Sequence, residues 1–128
     1  MSQQSVNVIC VFDTETTQEN GPNVGATVYM ISDQGPHAAG QGTNELTITV
    51  NVGDVITWNL DPLLNFMTVS FTSFVQTSGT GVLSTRQLSS TQWTANCLGS
   101  GSVTYHFNLQ IANDPNTYSW DPFININP

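Results

Sequence analysis

The segment from Val103 to Ile111 alternates between apolar and polar residues. Of all the features of the sequence, this pattern places the strongest restriction on the possible folds. Apolar or aromatic residues occupy the odd positions, while threonine, histidine, asparagine and glutamine occupy the even ones. Successive side chains of a β-strand point to opposite faces, so the segment predicts a strand with one face in a core. No segment shows the i, i+3, i+4 apolar spacing of an amphipathic helix.

Eight further segments have strand character between turn residues. The predicted strands cover residues 6–13, 26–33, 44–52, 54–60, 66–76, 82–88, 91–98, 102–112 and 118–126. Short strands at this spacing indicate an all-β, antiparallel β-sandwich. A chain of 128 residues suits one core, so residues 1–128 are predicted to form a single domain.

The N-terminal strand carries apolar residues on both faces. Val6, Val8, Cys10 and Phe12 belong to one face, and Ile9 and Val11 add apolar character to the other. Covering the second face requires another surface, which a subunit interface supplies. The sequence therefore predicts a homo-oligomer.

The charge balance excludes several classes of function. The chain contains nine acidic residues and one basic residue, Arg86, which gives a formal net charge of -8. This charge repels phosphate backbones and anionic lipids, so neither nucleic acid nor a membrane surface is an expected partner. The N-terminus lacks the basic and apolar regions of a signal peptide, and no apolar run is long enough to be a transmembrane segment, which predicts a cytoplasmic protein.

Residues 50–71, VNVGDVITWNLDPLLNFMTVSF, are similar to the approach to the first histidine ligand of copper-binding β-sandwiches. A blue-copper site needs two imidazoles and one thiolate. Leu109 stands where the thiolate is expected, and residues 65–67 contain no histidine. The sequence therefore predicts two core strands, with Trp58 packed between the sheets, and no copper.

Other metals and cofactors are not predicted. His37, His106, Cys10 and Cys97 lack the close spacing of zinc loops, and the cysteines lie in apolar contexts that favour buried free thiols over a disulfide. Calcium stays an open alternative, since acids or amides occur at strand ends in residues 13–15, 33 and 114–116. The same residues also cap turns, and this interpretation is favoured.

The chain is predicted not to be an enzyme. It contains no G-x-S-x-G motif, its histidines have no acidic neighbour in sequence, and no two acids stand out as a catalytic pair. Exposed aromatic rings with loop amides and carboxylates form lectin-like sugar sites on many β-sandwiches, so a carbohydrate ligand is the alternative. The candidate ligand-binding residues are Asp13, Glu15, Trp93, Trp120 and Asp121.

Three segments together resemble the bacterial PixA/AidA family of inclusion-body proteins. They are VFDTET at residues 11–16, NVGDVITW at 51–58 and YSWDPFI at 118–124, in the order found in that family. The segment after the first block, residues 18–23, is shorter than in the family, and residues 61–100 match it poorly.

The resemblance implies an immunoglobulin-like (Greek-key) β-sandwich of bacterial origin, associated in some members with intracellular protein inclusions. It brings no enzymatic activity, no established ligand and no catalytic residues. The leading hypothesis is therefore an inclusion-body protein that acts through self-association.

Overall fold

The computed structural model describes residues 4–21, 26–63 and 68–128. Within these ranges the chain forms nine strands, one α-helix and one turn of 3-10 helix. The strands are β1 (Ser5–Phe12), β2 (Val28–Ser32), β3 (Thr47–Asn51), β4 (Val55–Pro62), β5 (Val69–Ser78), β6 (Val82–Ser89), β7 (Gln92–Gly99), β8 (Gly101–Ile111) and β9 (Phe123–Asn127). The helix α1 covers Thr14–Asn20, and the 3-10 turn covers Gly35–His37.

The strands form two sheets that enclose the apolar core. The five-stranded sheet has the order β2-β1-β4-β7-β6, and the four-stranded sheet has the order β3-β9-β8-β5. Alternate residues of β1, β2, β4 and β8 are buried, as the period-two pattern predicts. The prediction of a β-sandwich is confirmed, and the immunoglobulin-like Greek-key description stays a prediction.

Both sheets are mixed, so the prediction of a purely antiparallel sandwich is wrong. Strand β1 pairs with β4 in parallel, and β3 pairs with β9 in parallel. The other pairings described are antiparallel. The parallel partners are separated in sequence by strands of both sheets, and strand spacing alone does not reveal which distant strands become neighbours.

Helix α1 was not predicted from the sequence, because its buried residues, Thr14 and Thr17, are polar. The helix begins after Asp13, whose carboxylate accepts hydrogen bonds from the backbone N–H of Thr16 at 3.2 Å and from its hydroxyl at 3.0 Å. This is an N-cap, and Glu15 in the first turn suits the positive end of the helix. Strand β1 therefore ends at Phe12, one residue before the end of the predicted strand, 6–13.

Other predicted boundaries also differ from the structure, that of the last strand by the most. Residues 118–122 precede β9 instead of belonging to it, and Tyr118 forms only an isolated bridge to Leu109. Strand β5 begins at Val69, and residues 66 and 67 of the predicted strand, like the Asn65-Phe66-Met67 loop, lie outside the described residues.

The segment of residues 33–44 covers the edges of β2 and β3, and we call this side of the sandwich the sealed flank. The side-chain amide of Gln41 accepts from the backbone N–H of Ser32 at 2.8 Å and donates to its carbonyl at 2.9 Å. Gln34 forms the same pair of hydrogen bonds with Thr49: its side-chain amide donates to the carbonyl at 2.6 Å and accepts from the backbone N–H at 3.3 Å. Each glutamine thus stands in for the residue of a further strand.

The opposite side of the sandwich has open edges. Strands β5 and β6 each pair on one side only in the described part of the chain. Each of these two strands contains two register shifts. Bulges of this kind twist an edge away from regular pairing, which limits its use as a template for another strand.

The centre of the core is aromatic, as predicted for Trp58. This residue is fully buried on β4, and its Nε1 donates to the hydroxyl of Tyr105 on β8 at 3.0 Å. The Trp58 ring also lies 5.2 Å from that of Phe107 in an edge-to-face arrangement. The bond between Trp58 and Tyr105 connects the two sheets through the core.

Candidate functional site

The two tryptophans predicted on the surface are buried, so that expectation is wrong. Trp93 and Trp120 are 8% and 5% exposed, and their rings lie 5.8 Å and 6.0 Å from that of Phe107. Trp120 Nε1 contacts the Met30 sulfur at 3.0 Å, whereas Trp93 Nε1 has no acceptor among the described residues. These rings are therefore unavailable as a stacking platform for sugars.

The other candidate residues lie around the end of the sandwich that carries α1. Residues 26 and 27 connect Asp13 to the segment before Trp120, through hydrogen bonds of 2.9 Å from Asp13 N to Thr27 and from Ala26 N to Ser119. The structure thus brings Asp13 near the backbone of residue 119. Glu15 is exposed in the first turn of α1, and the exposed Asp121 points to β8.

The carboxylates considered for calcium accept hydrogen bonds from other groups of the protein. Asp13 caps α1, and Asp33 accepts from the backbone and side chain of Asn7, each at 3.0 Å. Asp114 accepts from the hydroxyl of Tyr118 at 2.8 Å and from the amide of Gln18 at 3.1 Å. Across the described ranges, no three His, Cys, Asp or Glu residues gather in a way that could hold a metal ion.

The titratable groups that could act as nucleophiles or bases are dispersed. His106 Nδ1 lies 3.9 Å from the carboxylate of Asp121, on the surface of β8. Cys10 and Cys97 are buried free thiols, as predicted. Burial raises the pKa of Cys10, and burial together with the nearby Asp54 carboxylate raises the pKa of Cys97 to about 11. Both thiols therefore stay protonated at neutral pH.

The side of the five-stranded sheet that points away from the four-stranded sheet, here called the outer face, carries the most distinctive surface. Ile9 on β1 lies opposite Ile31 on β2, and Val11 lies opposite Tyr29. Ile9, Ile31 and Tyr29 are 44%, 48% and 42% exposed. These four residues form an apolar cluster at the β1–β2 end of the outer face, and the described part of the chain leaves it largely exposed.

Part of this cluster was predicted from the sequence. The unexpected apolar residues on the second face of β1 identified Ile9 and Val11. Tyr29 and Ile31 were missed because only the pairing of β1 with β2 places them beside those residues. The alternation of β2, in which Val28 and Met30 are buried, was the available signal.

Within the described residues, no helix is both long and apolar enough to cross a membrane.

The geometry defines a class of protein: a two-sheet β-sandwich with one sealed flank and an exposed apolar face. The sequence profile of a family described as a domain of unknown function, DUF8788, matches residues 4–117, and the chain belongs to this family. None of the curated proteins matches it.

The fold is similar to that in the crystal structure of the inclusion body protein PixA from Burkholderia cenocepacia. The TM-score is 0.75 at 17% sequence identity, and the match covers 98% of this chain and 96% of that one. At this identity the likeness shows a shared fold. The resemblance to the PixA/AidA family noted in the sequence is confirmed at that level.

Proposed function

We propose that this chain is a non-enzymatic protein that acts by self-association, as a PixA-like inclusion-body protein. The observation that carries the proposal is the exposed apolar cluster of Ile9, Val11, Tyr29 and Ile31 on the outer face. The shared fold with a protein described as an inclusion body protein supports it. Under this proposal the protein accumulates inside the cell, in inclusions.

The cluster contributes measurably to the free energy of such a contact. Burying an isoleucine side chain completely is worth about 1.5–3 kcal/mol, so burying the exposed half of one is worth roughly 1 kcal/mol. A two-fold dimer buries Ile9 and Ile31 of both copies, and these four side chains contribute roughly 4 kcal/mol. Serine at both positions should therefore weaken dimerisation at least ~100-fold.

A double variant tests the proposal directly. Wild-type protein should show concentration-dependent dimers or larger species by analytical ultracentrifugation, whereas Ile9→Ser/Ile31→Ser should stay monomeric at the same concentrations. Val75→Ser is the matched control, since Val75 is 36% exposed on β5 of the other sheet. Equal association of the double variant and the control would show that the outer face is not the contact.

The net charge of -8 opposes association near neutral pH. Lowering the pH towards the sequence pI near 4.1 reduces the repulsion between copies. Static light scattering in low salt should therefore show stronger association at pH 5 than at pH 8. Equal scattering at the two values would contradict this electrostatic reasoning.

Carbohydrate binding was the alternative from the sequence. With Trp93 and Trp120 buried in the core, the rings that were to stack on a sugar are inaccessible. A glycan array combined with a fluorescence titration is the corresponding check, and we expect no binding through these two residues.

A further inference from the structure

We propose that the outer face packs against the outer face of a second copy about a two-fold axis parallel to β4, so that Arg86 of each copy meets Asp33 of the other. This inference rests on the proposed self-association. It adds which strands face each other and which charges fix their register.

One row of residues runs straight across the outer face. Its members are Asp33, Asn7, Thr57, Thr94 and Arg86. Asp33 is held to Asn7 by two hydrogen bonds of 3.0 Å, Asn7 is paired with Thr57, Thr57 with Thr94, and Thr94 with Arg86. Directly paired residues of neighbouring strands point to the same face of a sheet. The row therefore leads from an anion at the β2 edge to a cation at the β6 edge.

The row is symmetric about the middle of the sheet. Thr57 is its central member, because β4 is the middle strand of five. Strands are about 4.8 Å apart, so Asp33 and Arg86 each lie roughly 10 Å from the centre. A two-fold axis over Thr57 and parallel to β4 exchanges the two ends. Each Asp33 then lies over the Arg86 of the second copy, and the contact occurs twice, as an isologous interface requires.

The surroundings of Arg86 suit a carboxylate from another molecule. In the described part of the chain, no carboxylate forms an ion pair with this guanidinium, the only one in the protein. It borders a surface depression of about 430 Å³ that is also lined by Ser84, Thr94 and Asn96. These neighbours are uncharged hydrogen-bonding groups, so an incoming carboxylate meets a cation and no competing acid.

The neighbouring row agrees with the same axis. In it, Ile31 pairs with Ile9 at the β2 edge, and Ser89 occupies the β6 edge opposite Gln92. The axis places Ile31 over the β6 edge of the second copy, where Leu88 is 43% exposed beside Ser89. The apolar end of one outer face thus meets an exposed leucine of the other.

The outer face carries little of the negative charge of the chain. The strands of the outer face expose the acids Asp33 and Asp61 and the base Arg86, a local sum of -1 against -8 for the whole chain. Asp61 lies on β4, four residues from Thr57, so the axis places it opposite Asp61 of the second copy, and Asp61→Lys exchanges one like-charged pair for another. The repulsion between two outer faces is therefore much weaker than the net charge of the chain suggests.

A charge exchange between two variants tests the geometry. Arg86→Glu places two acids at each contact, and Asp33→Lys places two bases there. Each variant alone should dimerise at least about tenfold more weakly than the wild type in sedimentation equilibrium. An equimolar mixture restores opposite charges at both contacts, so the mixed pair should form heterodimers close to wild-type affinity.

Asp61→Lys is the matched control, because it makes the same charge change on the same face away from Arg86, and it should not lose affinity. Circular dichroism checks that each variant is folded. Should Asp33→Lys unfold, Asp33→Asn keeps a side-chain oxygen for Asn7 and should still form a tighter heterodimer with Arg86→Glu than that variant forms with itself.

The outcomes separate the two proposals. Dimerisation of Arg86→Glu at wild-type strength overturns the two-fold pairing, and if Ile9→Ser/Ile31→Ser is then monomeric, self-association through the outer face still stands. If the wild-type protein is monomeric at every accessible concentration, both the proposed self-association and the two-fold pairing are refuted.

Discussion

The hydrogen bond from Trp58 to Tyr105 offers a sharp test of how the two sheets are held together. The change Tyr105→Phe removes one oxygen and leaves the ring in place between Trp58 and Phe74. Trp58 Nε1, fully buried, then loses its acceptor at 3.0 Å. A buried donor without a partner costs about 1–3 kcal/mol. We expect the free energy of unfolding to fall by roughly 2 kcal/mol.

Urea denaturation followed by tryptophan fluorescence measures this loss. With a slope of about 2 kcal/mol/M, the midpoint should move down by roughly 1 M. Tyr29→Phe is the matched control, since this hydroxyl belongs to a side chain that is 42% exposed, and its midpoint should change little. The circular dichroism of both variants should match the wild type.

A double-mutant cycle isolates the bond itself. Trp58→Phe removes the donor together with some packing, so its cost alone says little about the hydrogen bond. Adding Tyr105→Phe to that background should cost about 2 kcal/mol less than in the wild type, because no donor is then left unpaired. Additive effects, or a Tyr105→Phe midpoint equal to that of Tyr29→Phe, would refute the reasoning.

Three further predictions concern the thiols, the helix and the acid response. Burial keeps the thiols of Cys10 and Cys97 protonated, so neither should react with a thiol reagent at pH 8 until urea unfolds the protein; fast labelling of the native protein would contradict this. Asp13→Ala removes the N-cap of α1 and should lower the free energy of unfolding by about 1 kcal/mol, with Asp13→Asn, which keeps an acceptor, close to the wild type in the same urea titration. Hydrogen bonds to Asp114, the largest effect coming from the backbone of Asn116, hold its pKa below the usual value. The charged form therefore adds stability above the unfolded-state pKa, and this is lost as the pH falls through the folded-state pKa. Asp114→Asn should lower the urea midpoint at pH 7 and approach the wild type in acid, whereas a pH-independent difference would rule out this linkage.

Alternation and turn residues in the sequence indicated the nine strands, since most of them bury one face in the same core, although the edge strand β6 is almost entirely exposed. It failed at α1, where turn chemistry decides the structure: the pattern Asp13-Thr14-Glu15-Thr16 was interpreted as a strand end with backbone contacts, and it is the cap and first turn of a helix. Strand direction was also beyond the sequence. A parallel neighbour such as β4 for β1 is set by how the whole chain crosses between sheets.

Predicting the site required knowing which side chains are exposed. A period-two pattern indicates this only for residues in regular strands. The excess apolar residues of β1 indicated a second surface, and this became the outer face. Trp93 was misplaced although β7 alternates regularly: Ala95 and Cys97 share its face, and this alternation was a sequence signal that the ring points inward. Trp120 lies in an irregular segment before Pro122, where no period applies, and its burial follows from packing against Met30 and Phe107.

The sealed flank limits how copies of this protein can grow into a solid. A fibre that grows by edge-to-edge strand pairing needs units with open sheet edges on two sides, so that each unit can pair with a copy on either side. Gln41 closes the edge of β2 and Gln34 closes the edge of β3, so the described chain has open edges on one side only, at β5 and β6. Two copies joined there are terminated on both sides. If the protein accumulates in inclusions as proposed, we therefore expect these to consist of stacked folded units that redissolve on dilution, without the strand-by-strand growth of a fibre.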